Sequence, residues 1–272
     1  MIIKSVDIKN FRGIDHCTIK FKDGFNLVKG ENGKGKTSIL EAISVGLGGF
    51  VAGFSDVATR HFSKDEIRKV IELTGEGSCN EIYRVPTEVG LKAVLNGKEY
   101  EWTRGRTSVN ASRSTIQPRD ICKEAEKMSL NSEIEYPVLI YQGAGRVWSQ
   151  KREKSENIFK KKYSRSAGYT DTLLEASNIK LLLNWCIKME QVAWQKGHKI
   201  AEYEAVKKAV SDFMLYMNGE GNYQIFYDKQ LEELMYVSDG VLLPVTSLSA
   251  GYQSLIWMVF DIAYRMAVLN PN

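Results

Sequence analysis

Residues 30–37 read Gly30-Glu31-Asn32-Gly33-Lys34-Gly35-Lys36-Thr37 and satisfy the pattern G-x-x-x-x-G-K-[ST], a phosphate-binding loop, at every defined position. The apolar residues 25–28 before the loop predict a short strand. After the loop, apolar residues recur at helical spacing, at Ile39, Leu40, Ile43 and Leu47. Strand, glycine-rich turn and helix is the order that brings backbone N–H groups and a helix N-terminus to a phosphate. The alternative, a glycine-rich turn that carries two lysines, has less support because the pattern and its flanks agree.

The residues of this loop have separate predicted roles. Lys36 is expected to reach the β- and γ-phosphates of a nucleotide and to be catalytic, and the Thr37 hydroxyl is expected to ligate Mg²⁺. Glycine lets backbone N–H groups converge on phosphate oxygens without a Cβ in the way. The other predicted nucleotide-binding residues of the loop are Gly30, Asn32, Gly33, Lys34, Gly35 and Ser38.

The composition of the chain is that of an ordinary globular protein. Its 272 residues are 43% hydrophobic and 26% charged, and the formal net charge is +4. A charge of this size does not by itself indicate a nucleic-acid binder. The four cysteines are far apart and include no C-x-x-C pair, which predicts free thiols in a reducing compartment. We find no signal peptide and no apolar run long enough to span a bilayer, so we expect a cytoplasmic protein without a membrane partner.

Two strands are predicted ahead of the phosphate-binding loop. Residues 1–9 alternate, with Ile2, Val6 and Ile8 on one face, and residues 17–22 alternate in the same way. Asp23-Gly24 indicates a hairpin turn that leads the chain back toward the loop. A loop that is fed by antiparallel strands argues against the opening βαβ unit of a dinucleotide-binding fold.

Ile8-Lys9-Asn10-Phe11-Arg12-Gly13, followed by the phosphate-binding loop, resembles the start of ABC-type ATPase heads. These are the heads of RecF, of the SMC chromosome-organising proteins and of their bacterial anti-phage relatives. The resemblance implies an α/β P-loop NTPase fold with an antiparallel side sheet and a helical signature lobe, and it implies ATP and Mg²⁺ as cofactors. It also implies that Arg12 reaches the nucleotide phosphates. The alternative for Arg12 is a surface arginine at a strand end.

Ser247-Leu248-Ser249-Ala250-Gly251-Tyr252-Gln253 resembles the ABC signature, Leu-Ser-x-Gly-x, at the start of a helix. Ser249 is a natural N-cap, so its hydroxyl and the Gly251 backbone would present hydrogen-bond donors to an anion. In the family, this anion is the γ-phosphate held by the phosphate-binding loop of the other protomer. The signature therefore implies a homodimer that encloses ATP, and the alternative is an ordinary capped helix.

Residues 137–141 form a continuous apolar run that predicts a buried strand ending at Gln142. In ABC heads such a strand ends in a glutamine that touches Mg²⁺ and the attacking water. The resemblance thus makes Gln142 a candidate catalytic residue and metal ligand, while a glutamine that merely ends a strand is an equally good interpretation. The run and the following Gly143-x-Gly145-Arg146-x-Trp148 are similar to bacterial predicted ATP-binding proteins of the AAA family, which suggests anti-phage defence.

Four segments outside these motifs carry further expectations. Residues 46–60 are rich in glycine and predict a loose connection after the first helix. Strands at 81–85 and 91–95, with a hairpin turn at Asn96-Gly97, predict an antiparallel side sheet. Residues 103–115 predict a mobile loop that is either solvated or in contact with phosphates. The basic residues of 151–165 predict either a flexible lobe boundary or a patch for DNA or RNA.

The C-terminal half predicts a helical lobe. The expected elements, after a short helix at 119–130, are helices at 172–195, 200–217 and 252–269 and strands at 223–227, 234–237 and 241–245. Residues 256–261 resemble the apolar strand of P-loop proteins that ends in an aspartate, the residue that holds Mg²⁺. We reject this interpretation because the apolar residues keep helical spacing and no glutamate follows Asp261.

In the family, a buried strand that ends in Asp-Glu would come next, and the sequence stops before it at Asn270-Pro271-Asn272. We therefore expect the C-terminal part of the core sheet to be missing and the chain to continue in a longer protein; the alternative is a degenerate ATPase. The predicted domains are a nucleotide-binding α/β lobe at 1–148, a helical lobe with its following strands at 149–240, and the signature segment at 241–272.

These patterns together predict an ATP-binding and hydrolysing head that dimerises on ATP and acts as a switch on a partner or on nucleic acid, in bacterial anti-phage defence. The alternative is a scaffold that binds nucleotide without hydrolysing it and holds a partner effector, such as a nuclease, in check.

Overall fold

The computed structural model describes residues 1–75, 78–143, 164–176 and 178–271. These residues form two compact units, Met1–Ile134 and Glu135–Asn272. The predicted basic segment at 151–165 lies outside the described residues except for its last two positions. The predicted domain limits at 148 and 240 remain predictions.

A five-stranded antiparallel sheet, in the order β2-β1-β5-β6-β7, forms the centre of the first unit. Its strands are β1 (Ile2–Phe11), β2 (Ile14–Lys20), β5 (Thr87–Leu95), β6 (Lys98–Arg106) and β7 (Thr115–Gln117). The separate antiparallel pair is β3 (Lys69–Gly75) with β4 (Ser78–Tyr83), and the helices are α1 (Lys36–Val51) and α2 (Asp120–Ser129). The predicted antiparallel side sheet and the predicted helix at 119–130 are confirmed.

Strict alternation along β5 explains how the sheet buries one face. Val89, Leu91, Ala93 and Leu95 are buried while the residues between them are partly exposed, as expected of a strand with one covered face. The turn to β6 is made by Asn96 and Gly97 with φ of 50° and 77°, both in the left-handed region that a two-residue hairpin turn requires. The hairpin predicted from Asn96-Gly97 is therefore confirmed.

The glycine-rich start of the segment 46–60 belongs to α1 and not to a loose connection, so that prediction was wrong. A Cβ on Gly46 would lie 2.6 Å from Leu91, and one on Gly49 would lie 2.5 Å from Trp102. The Trp102 indole N–H donates to the Gly46 carbonyl at 2.8 Å. Glycine occurs inside this helix because side chains of β5 and β6 lie directly against its backbone.

Two more predictions in the first unit are corrected by the structure. Residues 25–28 form no strand, and the Phe25 and Leu27 side chains are 90% and 76% exposed. No strand within the described part of the chain pairs with this segment, and a run without ladder hydrogen bonds to a neighbouring strand is not a β-strand. The predicted mobile loop 103–115 begins instead as the end of β6, where Arg104 and Arg106 are buried.

The second unit packs helices against a three-stranded sheet. Its helices are α3 (Ile179–Lys196), α4 (Ala201–Asn218) and α5 (Ala250–Leu269), and its sheet has the order β10-β9-β8. The strands are β8 (Tyr223–Asp228), β9 (Glu233–Ser238) and β10 (Val241–Pro244). The core centres on Trp185, which contacts the rings of Tyr203, Phe260 and Tyr264 edge-on. The predicted strands and the predicted helix at 252–269 are confirmed.

Two predictions for the second unit, one helix start and one strand, were wrong. The helix expected from 172 begins only at Ile179, where the Asn178 side chain caps it by accepting from the Leu181 N–H at 2.9 Å. The run 137–141 is not a strand, although Leu139 and Tyr141 are buried. Its contacts are irregular: the Tyr141 N–H donates to the Thr172 carbonyl at 2.9 Å, and the Thr172 hydroxyl donates to the Leu139 carbonyl. Among the described residues, no helix combines the length and the hydropathy that crossing a bilayer requires.

Candidate nucleotide-binding site

Two glycines of the loop 30–37 have left-handed backbone conformations, and α1 begins directly after the second. Gly33 has φ of 82° and Gly35 has φ of 84°, and a Cβ added to either residue would meet nothing within 4 Å. Backbone conformation is therefore what requires glycine at these two positions, while the space around them is open. The open space is where a ligand could approach the backbone.

The N-terminus of α1 offers unused hydrogen-bond donors. The helix starts at Lys36 after Gly35 and has no side-chain cap. Its first bond back to the loop runs from the Ile39 N–H to the Gly35 carbonyl at 3.0 Å. The N–H groups of Lys36, Thr37 and Ser38 have no acceptor within the described part of the chain. Such a helix end is a ready anion-binding site because free N–H groups and the helix dipole point the same way.

The Lys36 side chain lies across the loop. Its Nζ donates to the carbonyls of Gly30 and Glu31, both at 2.7 Å, and it is partly buried. Neutral carbonyl acceptors hold the ammonium close to the uncapped helix end. A phosphate would offer the same group a charged acceptor and a shorter, stronger hydrogen bond.

The residues that would hold Mg²⁺ in this loop fit a hydroxyl-and-phosphate site. Thr37, the second residue of α1, is exposed, and no group of three or more His, Cys, Asp or Glu side chains is placed to hold a metal among the described residues. Mg²⁺ is commonly held by one or two protein oxygens, substrate phosphates and water. The Thr37 hydroxyl is therefore suited to the predicted role, and the ion would supply charge neutralisation at the phosphates. Asn32 and Lys34 are exposed beside it.

Arg12 occupies the turn between β1 and β2 and contacts α1 close to the loop. Its φ is 48°, and its Nη1 lies 2.8 Å from Oε2 of Glu41, a residue that is 3% exposed. Glu41 follows Thr37 by four residues, so the two share one face of α1. Sequence reasoning placed Arg12 near the nucleotide but missed Glu41. The only signal for Glu41 was a carboxylate one helical turn after the phosphate-binding loop.

Replacing Arg12 by alanine is expected to lower the free energy of unfolding by about 2 kcal/mol, because the buried Glu41 carboxylate loses its cation. If Arg12 also contacts nucleotide, ATP affinity falls about tenfold, since a single charge-assisted hydrogen bond is removed. The double variant Arg12→Ala with Glu41→Gln separates the two effects, because it restores much of the stability without restoring the arginine. Thermal unfolding and ATP titration measure them. Wild-type ATP affinity in the double variant would make Arg12 purely structural.

The signature segment presents an exposed, capped helix end in the second unit. Ser249 is the N-cap of α5, and its Oγ accepts from the Tyr252 N–H at 3.5 Å. Ser249 and Gly251 are exposed, and a Cβ on Gly251 would meet nothing within 4 Å. The Gln253 side chain is hydrogen-bonded to the segment before the helix, because its Nε2 donates to the Leu248 carbonyl at 2.7 Å. The predicted N-cap is thus confirmed, and this helix end is exposed.

Gln142 joins a buried ion pair on α5. Its Nε2 donates to Oδ2 of Asp261 at 3.4 Å. Asp261 is 5% exposed and Arg265 is 0% exposed, and the Arg265 Nε donates to the same Oδ2 at 3.1 Å while Nη2 lies 2.9 Å from Oδ1. Asp261 therefore lies on a helix as an ion-pair partner, which confirms that residues 256–261 are not the magnesium-binding strand.

The structure groups the predicted site residues by unit. Lys36, Thr37 and Arg12 belong to the first unit, where α1 connects them. Gln142 and Ser249 belong to the second, where both contact or begin α5. Sequence reasoning missed Arg265 as the partner of Asp261. Opposite charges four residues apart on an otherwise apolar helix were the signal that could have found the pair.

The fold and the loop define the class of protein as a P-loop NTPase with the architecture of an ABC-type head. A solved structure of the Smc head bound to the C-winged helix domain of ScpA superposes with a TM-score of 0.55 at 16% identity, covering 100% of this chain and 78% of that one. The Smc head domain from Pyrococcus furiosus gives a TM-score of 0.51 at 15% identity, covering 99% and 80% of the two chains. At these identities the likeness concerns the fold, and the predicted fold class is confirmed.

Residues 5–214 match the AAA_23 family, an AAA domain, and the chain belongs to this family. The Rad50 ATPase of DNA double-strand break repair from Pyrococcus abyssi is 39% identical over 70 residues, which cover 26% of this chain and 8% of that protein. The DNA replication and repair protein RecF from Tropheryma whipplei is 40% identical over 58 residues, which cover 21% and 15%. These similarities support an ATPase head of the RecF and SMC class. The chain spans only a small part of the length of these curated relatives.

Proposed function

We propose that the chain binds ATP with Mg²⁺ at the loop 30–37 and that two copies associate on the bound nucleotide. The observation that carries this proposal is the uncapped N-terminus of α1, with the Lys36 ammonium beside three unused N–H groups. In this scheme the Thr37 hydroxyl binds the metal ion, and Gly30, Asn32, Gly33, Lys34, Gly35 and Ser38 surround the phosphates. Gln142 is the proposed second contact to the metal and the attacking water.

The exposed Ser249 and Gly251 support the association of two copies. An N-cap hydroxyl and open N–H groups form an anion-binding end like that of α1, and here solvent reaches it freely. A triphosphate held by one copy could therefore be contacted on its outer side by the α5 N-terminus of the other. Because each contact needs the γ-phosphate, ATP would hold the two copies together and hydrolysis would release them.

Such an association would act as a switch on another macromolecule. The Smc head neighbour is bound to a domain of ScpA, and the relatives Rad50 and RecF are named as DNA repair proteins. These names favour a protein partner or nucleic acid as the target of the switch. We propose bacterial anti-phage defence as the setting of this switch, from the resemblance of the segment around Gln142 alone. The alternative proposal is a scaffold that binds nucleotide without hydrolysing it and holds a partner effector, such as a nuclease, in check.

Replacing Ser249 by arginine is expected to abolish ATP-dependent dimerisation. The larger, charged side chain blocks the approach of a second loop, while the lost N-cap costs only about 1 kcal/mol and leaves the fold intact. Sedimentation velocity with and without ATP and Mg²⁺ measures the change, and the wild-type mass should double with ATP. Ser129→Arg, the same change at an exposed serine at the end of α2, is the matched control and should dimerise normally. An unchanged mass of the wild-type protein with ATP would contradict the proposal.

Phosphate release separates a hydrolysing switch from a nucleotide-binding scaffold. Asp261 cannot easily act as the base that activates water, because both of its oxygens face the Arg265 guanidinium in a buried site. Hydrolysis would then depend on a different carboxylate. We expect the protein to release phosphate from ATP in the presence of Mg²⁺, and ATP binding without phosphate release would favour the scaffold.

A further inference from the structure

A basic cavity lies in the first unit, at the other end of α1 from the phosphate-binding loop. Its volume is about 670 Å³, and it is bordered by Ala52 after the end of α1, His61, and the segment 113–119. Since α1 has 16 residues, its two ends are about 24 Å apart, so this cavity is separate from the nucleotide loop. Its size is within the range of small-molecule sites.

A buried arginine without a counterion lies behind this cavity. Arg104 is 0% exposed, and its guanidinium donates to the Thr59 hydroxyl at 3.2 Å and to the Arg60 carbonyl at 2.7 Å. Within the described ranges no carboxylate lies at ion-pair distance from it, and its Nε has no hydrogen-bond partner. Burial lowers the pKa of Arg104 to about 10, so it stays charged at neutral pH. A buried charge of this kind is costly unless a negative group compensates it.

His61 connects this buried charge to the cavity. Its Nδ1 accepts from the Ser114 N–H at 3.1 Å and lies 3.2 Å from Nη2 of Arg104. These donors fix Nδ1 as the acceptor, so the proton of the neutral ring is on Nε2, which remains a donor. Burial, and after it the charges of Arg104 and Arg113, lower the pKa of His61. The imidazole is therefore a neutral hydrogen-bond donor in a positively charged surrounding.

The rim of the cavity adds two more cations and a helix end. Arg113 and Arg119 line it, and neither has a carboxylate partner in the part of the chain that the structure describes. Arg119 also stands at the N-cap of α2, which has no side-chain cap hydrogen bond. The one acidic side chain of the first turn, Asp120, is exposed and lies 3.7 Å from Lys123. Among the residues that the structure describes, the cavity is lined by cations and by no acidic side chain.

We propose that this cavity binds the phosphate group of a small molecule, held by Arg113, Arg119 and the Nε2–H of His61. Two guanidinium groups and a helix N-terminus suit a doubly charged phosphate better than a single carboxylate. The described residues of the lining include no Phe, Tyr or Trp on which a base could stack, which favours a compact ligand over single-stranded nucleic acid. The site is independent of the proposed nucleotide function.

Titration with inorganic phosphate tests this site in the Lys36→Ala variant, which disables the phosphate-binding loop as a competing site. The ring signals of His61 in NMR spectra report binding directly. We expect a saturable shift of these signals and a rise in the His61 pKa, because the bound anion favours the imidazolium. Arg113→Gln with Arg119→Gln in the same background should weaken phosphate binding at least tenfold, whereas Lys123→Gln, an exposed change on α2, should leave it unaltered.

Two outcomes would overturn the proposal. One is the absence of any saturable His61 shift with phosphate; the other is equal affinity in the double arginine variant. Because both arginines are exposed, the variant should keep the wild-type melting temperature. If its melting temperature falls, the phosphate titration of the Lys36→Ala protein alone tests the proposal. An oligonucleotide without terminal phosphates is the comparison ligand. If it binds in an Arg113- and Arg119-dependent way while inorganic phosphate does not, the cavity serves nucleic acid.

Discussion

Replacing Lys36 by alanine is expected to abolish ATP binding, with a rise in the dissociation constant of at least about 100-fold, or about 3 kcal/mol. Lys36 is the one side-chain cation of the loop whose ammonium is already held at the uncapped end of α1, by the carbonyls of Gly30 and Glu31. Removing it takes away the charge-assisted hydrogen bonds to the phosphates. The two carbonyls lie in exposed backbone that water can reach, so the stability of the fold should hardly change.

Lys34→Ala is the matched control for this experiment, because it removes the same charge from the same loop but keeps the Lys34 backbone N–H, the group through which this residue is proposed to face the phosphates. The Lys34 side chain is exposed and its ammonium makes no hydrogen bond to the described residues. Isothermal titration with ATP and Mg²⁺ should therefore show a change of less than about fivefold for Lys34→Ala. An unchanged ATP affinity in Lys36→Ala would rule out the proposed site. Equal losses in the two variants would indicate a general effect of loop charge instead of a specific contact.

The parts of the fold that the sequence predicts well are those decided by neighbouring residues. Asn96 and Gly97 take left-handed backbone conformations that few other residues adopt, so the hairpin could be recognised from two positions. Ser249 caps α5 by a hydrogen bond within its own turn. The start of α1 inside the phosphate-binding loop is equally local, because Gly35 ends the turn and Lys36 begins the helix. Each of these features depends on contacts within a few residues.

The errors occur where distant residues decide the structure. Glycines usually interrupt a helix, but Gly46 and Gly49 remain in α1 because Leu91 and Trp102 pack against its backbone. Phe25–Val28 has the composition of a strand, yet a strand exists only when another one pairs with it, and none does so within the described ranges. Local composition contains no information about either neighbour.

The candidate site divides in a similar way. The identities of Lys36 and Thr37 followed from a motif whose residues are adjacent, whereas their surroundings did not. Glu41 beside Arg12 and Asp261 beside Gln142 come from pairs far apart in sequence, which a single sequence does not reveal. The sequence left two interpretations of Gln142. In the structure its side chain donates a hydrogen bond to the buried Asp261 carboxylate, and any movement of Gln142 would break this bond.

Replacing Arg265 by methionine is expected to lower the free energy of unfolding of the second unit by about 3–5 kcal/mol. The change leaves the Asp261 carboxylate buried without its cation. It also removes the donor to the carbonyls of Gly168 and Thr170, which the Arg265 Nη1 contacts at 2.7 and 2.9 Å. Urea unfolding followed by hydrogen exchange of the α5 amides measures the loss in this unit. Lys208→Met is the matched control, since Lys208 pairs with Asp212 at the same four-residue spacing but on the surface.

The surface pair should contribute less than about 1 kcal/mol, because solvent screens it and both side chains lose conformational freedom when they pair. The double variant Asp261→Leu with Arg265→Met removes the buried charges together, so it should recover most of the stability that Arg265→Met loses. If Arg265→Met were no more harmful than Lys208→Met, the buried pair would not hold α5 in place. The stability of α5 would then depend on its apolar contacts with the rest of the second unit instead of on the buried charges.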